Sequence, residues 1–332
     1  MSRRQLLALA VTAATAGPLG VLASPPGRAA AGTAEAAAYQ QAFRQVLGTD
    51  PEVRLDLAED RGIAYRPRQL LVANADTQRV VTRLREYGWS VVVGNTFAGV
   101  TKLRFDREVD VPAVVRLLRD PQKWPGQPAP RVQPHHVTVG YGNIMGNPDE
   151  PPRPAAPLPA PDPARGGEGA GVTVGVCDTG IWHSAGSFHP SWIGGSYLPQ
   201  LDDEDPLYTG ADLLALQGGH GTFVAGVVRQ AAPGVSFDPE RALSSSGVGD
   251  EEMLVAAMGR LGSVSIVNLS LGYHTLDDVP PLPVANAIAA LPPDRAVVAS
   301  AGNAATSRPA WPAALPQVVA VAAVRRSGGT VA

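Results

Sequence analysis

Gly171-Val172-Thr173-Val174-Gly175-Val176-Cys177-Asp178 is the stretch whose reading decides the fold. It is apolar almost without interruption, which suits a central parallel strand buried on both faces better than a half-exposed one. It ends on a carboxylate. Downstream, helical and strand patterns alternate. A helix opens at His220, another is expected over 251–261 with Asp250 as its N-cap, and a third over 283–291; strands are expected at 264–269, 296–300 and 317–324. Such alternation implies a parallel sheet with helices on both faces, and ligands bind such sheets at the carboxyl ends of the strands. Asp178, Asn268 and Asn303 fall at those ends.

The second informative stretch is Gly218-Gly219-His220-Gly221-Thr222-Phe223-Val224-Ala225-Gly226. Glycines let the backbone turn sharply, and an imidazole at a helix entrance faces solvent or a cleft. A helix N-terminus disfavours a positive charge, so an imidazolium forming there needs an anion. Asp178, 42 residues upstream (220 − 178), is the candidate.

Composition bounds the rest. The 332 residues suffice for two domains, and 45% hydrophobic content with mean hydropathy near zero indicates a soluble globular protein. Net charge is −3, only 17% of residues are charged, and no basic run appears, so nothing points to a nucleic-acid partner. The single cysteine, Cys177, excludes an intrachain disulfide and reads as a buried strand side chain. Residues 1–31 combine a basic start (Arg3, Arg4), an apolar middle and the end Ala29-Ala30-Ala31, which make an export signal. The start fits a twin-arginine signal and an ordinary secretory one alike. The apolar run is too short for a membrane span, and the mature form is expected to have none.

Residues 32–142 read as a small α/β unit. Strands are expected at 69–73, 90–93 and 100–105, helices at 77–87 and 111–118, a turn at Gly94-Asn95 and a last extended piece over 131–139. The order β-α-β-β-α-β is ferredoxin-like. A proline-rich linker, 143–170, follows, densest over 147–164.

Four blocks then stand in order: Asp178-Thr179-Gly180; Gly219-His220-Gly221-Thr222; Asn268-Leu269-Ser270-Leu271-Gly272; and Ala299-Ser300-Ala301-Gly302-Asn303. Together they resemble the signature blocks of the subtilisin-like serine peptidases over residues 171–332. Less specifically, 36–140 resembles the family's inhibitory propeptide, with Val132-Gln133-Pro134-His135-His136-Val137 similar to its closing stretch. The resemblance implies a secreted endopeptidase made as a zymogen, with a polypeptide substrate in extended conformation and the chain's own propeptide as partners. It implies His220 as general base, Asp178 as its orienting anion, Asn303 as oxyanion donor, and Ser270, Leu271 and Gly272 as backbone partners of a peptide strand.

One block departs from the pattern. The family's nucleophile lies in Gly-Thr-Ser-x-Ala, several tens of residues after the asparagine. Here 29 residues follow Asn303 (332 − 303), and Gly329-Thr330-Val331-Ala332 carries valine in the serine's place. We read it as the turn and strand start before an absent segment. The sequence as it stands is expected to be inactive, since losing the serine costs about 10⁶ in kcat. A non-catalytic peptide-binding relative and a propeptide-type inhibitor or chaperone are the alternatives. His135, His136, His183, His189 and His274 lack zinc-site spacing. Asp202-Asp203-Glu204-Asp205 has oxygen ligands of the kind calcium takes, but such a loop is ordinarily solvated, and no cofactor is assigned.

Overall fold

The computed structural model describes residues 47–48, 50–56, 62–140, 161–188, 203–208, 215–302 and 307–322, and the backbone of 326–327 and 330–331. The export signal, the proline-rich 147–160, Asp202, His189 and Asn303 lie outside the described residues.

The first unit is an antiparallel sheet backed by two helices. Strand β1 (Arg54–Asp56) pairs with β2 (Ile63–Ala73); helix α1 (Thr77–Glu86), β3 (Val91–Phe97), β4 (Val100–Phe105), helix α2 (Val111–Arg119) and β5 (Val132–Gly140) follow. The sheet order β5-β2-β4-β3 gives the ferredoxin-like arrangement. Helix α2 starts where the Asp110 carboxylate accepts from the Ala113 amide at 3.0 Å, with Pro112 in its first turn, where a missing N–H costs nothing. Val80, Val81 and Leu84 of α1 and Val111, Val114, Val115 and Leu118 of α2 pack on Leu70, Val72, Leu103 and Phe105. Each fully buried side chain of this size stabilises by roughly 1.5–3 kcal/mol.

One expectation fails here. Gly94-Asn95 is not a turn: both lie within β3, where the register against β4 shifts between Val93 and Thr96. An irregularity of this kind absorbs turn-favouring residues inside a strand. The reversal itself comes at Ala98 and Gly99, which have φ of 42° and 79°.

The second unit is the expected parallel sheet. Strands β6 (Thr173–Asp178), β7 (Ser236–Arg241), β9 (Ile266–Leu269), β11 (Ala296–Ser300) and β12 (Val318–Val321) take the order β12-β11-β9-β6-β7, all parallel. The short β8 (Val248–Asp250) and β10 (Leu271–Gly272) lie outside it. Helix α3 (Ala185–Phe188) is one turn; α4 (His220–Ala231), α5 (Glu251–Arg260) and α6 (Leu282–Ala289) cover the sheet. Val174 and Val176 join Ala225 of α4 in one core, whereas Cys177 joins Leu254 and Met258 of α5 and Val284 of α6 in another. Burial on both faces is the reason the β6 sequence shows no polar alternation. The chain passes from β6 to β7 on one side and then to β9 on the other, so the direction of winding reverses at β6. In open α/β sheets a crevice forms at such a reversal.

Residues 161–170, assigned to the linker from sequence, are folded against this unit: Arg165 donates to the Ala231 carbonyl at 2.7 Å, and Glu168 O accepts from Gly234 N at 2.7 Å. Asp162 holds a single 3-10 turn there by accepting from the Ala164 amide at 2.9 Å. Residues 326–327 and 330–331 pair as two short antiparallel strands, Arg326 opposite Val331 and Ser327 opposite Thr330.

The two units share strand β5. Its first half belongs to the ferredoxin-like sheet; its second half lies between β8 and β10, antiparallel to both, with Val139 opposite Val248 and Gly272, and Gly140 opposite Leu271.

Candidate active site

Asp178 closes β6 and is fully buried. Its Oδ1 accepts from the Thr179 amide and pairs with His220 Nδ1, both at 2.7 Å. His220 is the first residue of α4, and its side chain keeps 27% of its surface exposed. Gly219, at φ 85°, sets the entry to the helix, and the His220 amide donates to the Gln217 carbonyl at 3.0 Å. Gly221 lets the helix approach the end of β6, since a Cβ there would stand 2.2 Å from the Gly180 carbonyl oxygen. A third carboxylate, Asp205, ties the two elements together. Its Oδ2 accepts from Thr179 Oγ1 at 2.7 Å and from the Gly219 amide at 2.8 Å; its Oδ1 accepts from Ser245 Oγ at 2.6 Å and the Leu207 amide at 2.9 Å. Thr179 Oγ1 in turn accepts from the Gly221 amide at 3.0 Å.

The electrostatics follow from this geometry. Burial pulls the His220 pKa down, but the Asp178 charge and hydrogen bond, with Asp205 behind it, outweigh burial and leave it raised above the ordinary histidine value. The anion that the helix entrance required is present twice over. Burial also pushes the Cys177 thiol far up, leaving it protonated and inert beside the site.

The acidic stretch is not the solvated loop expected from sequence. Asp203 and Asp205 are buried, and Asp205 meets four hydrogen-bond donors because its neighbours in space, Thr179, Gly219 and Ser245, come from three other segments. Glu204 pairs with His183 at 2.8 Å. No group of three or more His, Cys, Asp or Glu that could hold a metal occurs among the described residues. His135 and His136 are buried between the units: His135 Nδ1 meets Gln69 Oε1 at 2.7 Å, and His136 Nε2 accepts from the Leu276 amide at 3.1 Å.

Leu271 and Gly272 present their backbones to β5, while Ser270, half-buried, accepts from Asn268 Nδ2 at 3.0 Å. Opposite them stands β8, which sequence reading missed. It is only Val-Gly-Asp, preceded by Ser244-Ser245-Ser246-Gly247, too short for any periodicity. Glu251, also missed, is fully buried at the start of α5. Its carboxylate accepts from Gln133 Nε2 at 2.8 and 2.9 Å, the His136 amide at 3.0 Å and the Tyr273 hydroxyl at 3.1 Å. Next to it Asp250 Oδ1 accepts from the Met253 amide and Oδ2 from Arg66 Nε, each at 2.9 Å, and Oδ1 lies 3.5 Å from His135 Nε2. Burial works against the Asp250 carboxylate, but His135, the Met253 amide and Arg66 together hold its pKa well below the usual range.

A doubly wound parallel sheet with a buried aspartate at the end of one strand and a histidine bonded to it from the next helix defines an α/β protein whose strand-end crevice holds a paired imidazole and carboxylate. Residues 169–332 match the model described as the subtilase family, and this segment belongs to that family of serine peptidases. No curated protein matches. Among solved structures, fervidolysin from Fervidobacterium pennivorans, a keratinolytic enzyme related to subtilisin, aligns at 17% identity with a TM-score of 0.46, over 86% of this chain and 48% of that one. The chain thus spans about half the length of that protein.

Proposed function

We propose that the chain is the precursor of a secreted subtilisin-like serine endopeptidase, with an export signal at 1–31, a propeptide unit at 32–142 and a peptidase segment from 171. The observation that carries this reading is the 2.7 Å bond between Asp178 and His220 beside a cleft whose two edge strands hold an extended segment. In this reading β5 lies as a peptide substrate would, adding itself as a strand between β8 and β10. His220 takes the proton of a serine hydroxyl as that oxygen attacks the carbonyl carbon, then passes it to the departing amine. Asp178 keeps the proton on Nδ1, so that Nε2 is the basic atom, and stabilises the imidazolium. Asn303 supplies the amide for the oxyanion, and Ser270, Leu271 and Gly272 align the substrate backbone. The 332 residues contain no Gly-Thr-Ser-x-Ala block, so the hydroxyl is assigned to residues outside them.

The test is hydrolysis of casein by the chain extended through the coding sequence that follows residue 332. The extended chain should cleave, and His220→Ala should remove activity by about 10⁶-fold, the scale for loss of a triad base. Unchanged turnover in that variant would sink the assignment. A stop codon directly after residue 332, with stable product that binds but does not cut peptides, would favour the non-catalytic relative.

A further inference from the structure

Gln217 stands three residues before His220 and is 5% exposed. Its side-chain Nε2 donates to the Gly140 carbonyl at 2.8 Å, while its Oε1 has no hydrogen-bond partner among the described residues. That oxygen occupies the place where a side chain on residue 140 would begin: a Cβ built on Gly140 lies 1.9 Å from Oε1 and 2.9 Å from Cδ. Gly140 has an ordinary negative-φ backbone, in contrast to the nine glycines with positive φ among the described residues, so its conformation does not call for glycine. Space does.

The amide cannot simply swing aside. On its other flank is Gly247, where a Cβ would come within 2.3 Å of Gln217 Cδ, so the side chain sits in a slot between two glycines. The Gln217 backbone is fixed as well: its amide donates to Ser245 O and its carbonyl accepts from His220 N, each at 3.0 Å. Moving the side chain would break the bond to Gly140 and require room the slot does not have.

We propose that Gln217 is a specificity-determining residue of the cleft, restricting the strand position held here by Gly140 to glycine in the peptides the site accepts. This rests on the reading of the cleft as a peptide-binding site. Its test does not depend on hydrolysis.

Four 332-residue chains are compared by hydrogen exchange at the residue-140 amide, which donates to the Gly247 carbonyl at 2.9 Å: wild type, Gly140→Ala, Gln217→Ala and the double variant. Gly140→Ala should lower protection about tenfold or more, the equilibrium equivalent of a misfit methyl in a packed site. The double variant should recover to within about threefold of Gln217→Ala alone, the mark of two coupled positions. Wild-type protection in Gly140→Ala, or an equal loss whether or not Gln217 is present, overturns the proposal. In the extended, hydrolysing chain, paired peptides with glycine or alanine at that position should differ about tenfold or more in kcat/KM, and Gln217→Ala should narrow the gap; equal cleavage of the pair by wild type also overturns it. Absence of all His220-dependent hydrolysis would instead count against the peptidase reading, and the exchange cycle would still decide the role of Gln217.

Discussion

Replacing Glu251 by alanine should release β5 from the cleft while leaving both units folded. The carboxylate is fully buried and accepts from Gln133 Nε2, the His136 amide and the Tyr273 hydroxyl. Two of these donors belong to β5 and the third lies just past β10, so the loss falls on the junction between units. A buried donor left without its acceptor costs about 1–3 kcal/mol, so three give roughly 3–6 kcal/mol once partial relaxation is allowed. The N-terminus of α5 adds to the effect, because it favours a negative charge at that position by about 0.3–1 kcal/mol. Hydrogen exchange reads the result directly. The Gly140 amide should lose protection by about two orders of magnitude or more, 1.4 kcal/mol corresponding to tenfold, while amides of β2 and β4 serve as the internal reference. Glu251→Gln keeps one acceptor oxygen and should lose less. Wild-type protection at Gly140 in Glu251→Ala would refute the claim that this buried carboxylate holds the strand.

The same junction should weaken in acid: Asp250 has a depressed pKa in the docked state, so its contribution is full above the unfolded value of about 3.8 and is lost as pH falls through and below it. Intrinsic tryptophan fluorescence followed from pH 7 to 2 should show an acid transition that Asp250→Asn removes, at a cost of about 1–3 kcal/mol at neutral pH from the weakened cap and Arg66 pair. Gly221→Ala should disturb the entry of the His220 helix, because its Cβ would meet the Gly180 carbonyl oxygen at 2.2 Å; calorimetry should show a loss of about 1–3 kcal/mol, and a wild-type melting temperature would contradict the close approach. Asp205→Asn should lower the His220 titration midpoint, since it removes a charge that raises it, and an unmoved midpoint would show that Asp205 acts only as a brace.

What could be read from sequence was what depends on local pattern. The unbroken apolar run before Asp178 specified a strand buried on both faces, and the structure places Val176 and Cys177 in two different cores for that reason. Asp250 was legible as a cap because capping is a contact within one turn, here to the Met253 amide. The pairing of Asp178 with His220 followed from each standing at the end of its element, on the crevice side of a parallel sheet. What sequence could not give depends on distant partners. Asp205 looks like any acidic loop residue until Thr179, Gly219 and Ser245 are folded around it, and Glu251 looks like an ordinary first-turn glutamate until β5 arrives above it. Strand β8 exists because β5 lies beside it, not because Val-Gly-Asp favours a strand.

The joining of Asp178 to His220 is tested most directly by a proton-detected titration of the His220 ring in the 332-residue chain. The midpoint should lie above the ordinary histidine value of about 6.5 and should drop in Asp178→Asn, because burial then acts without the opposing charge. A midpoint at or below that value in the wild type, indifferent to Asp178→Asn, would contradict the account.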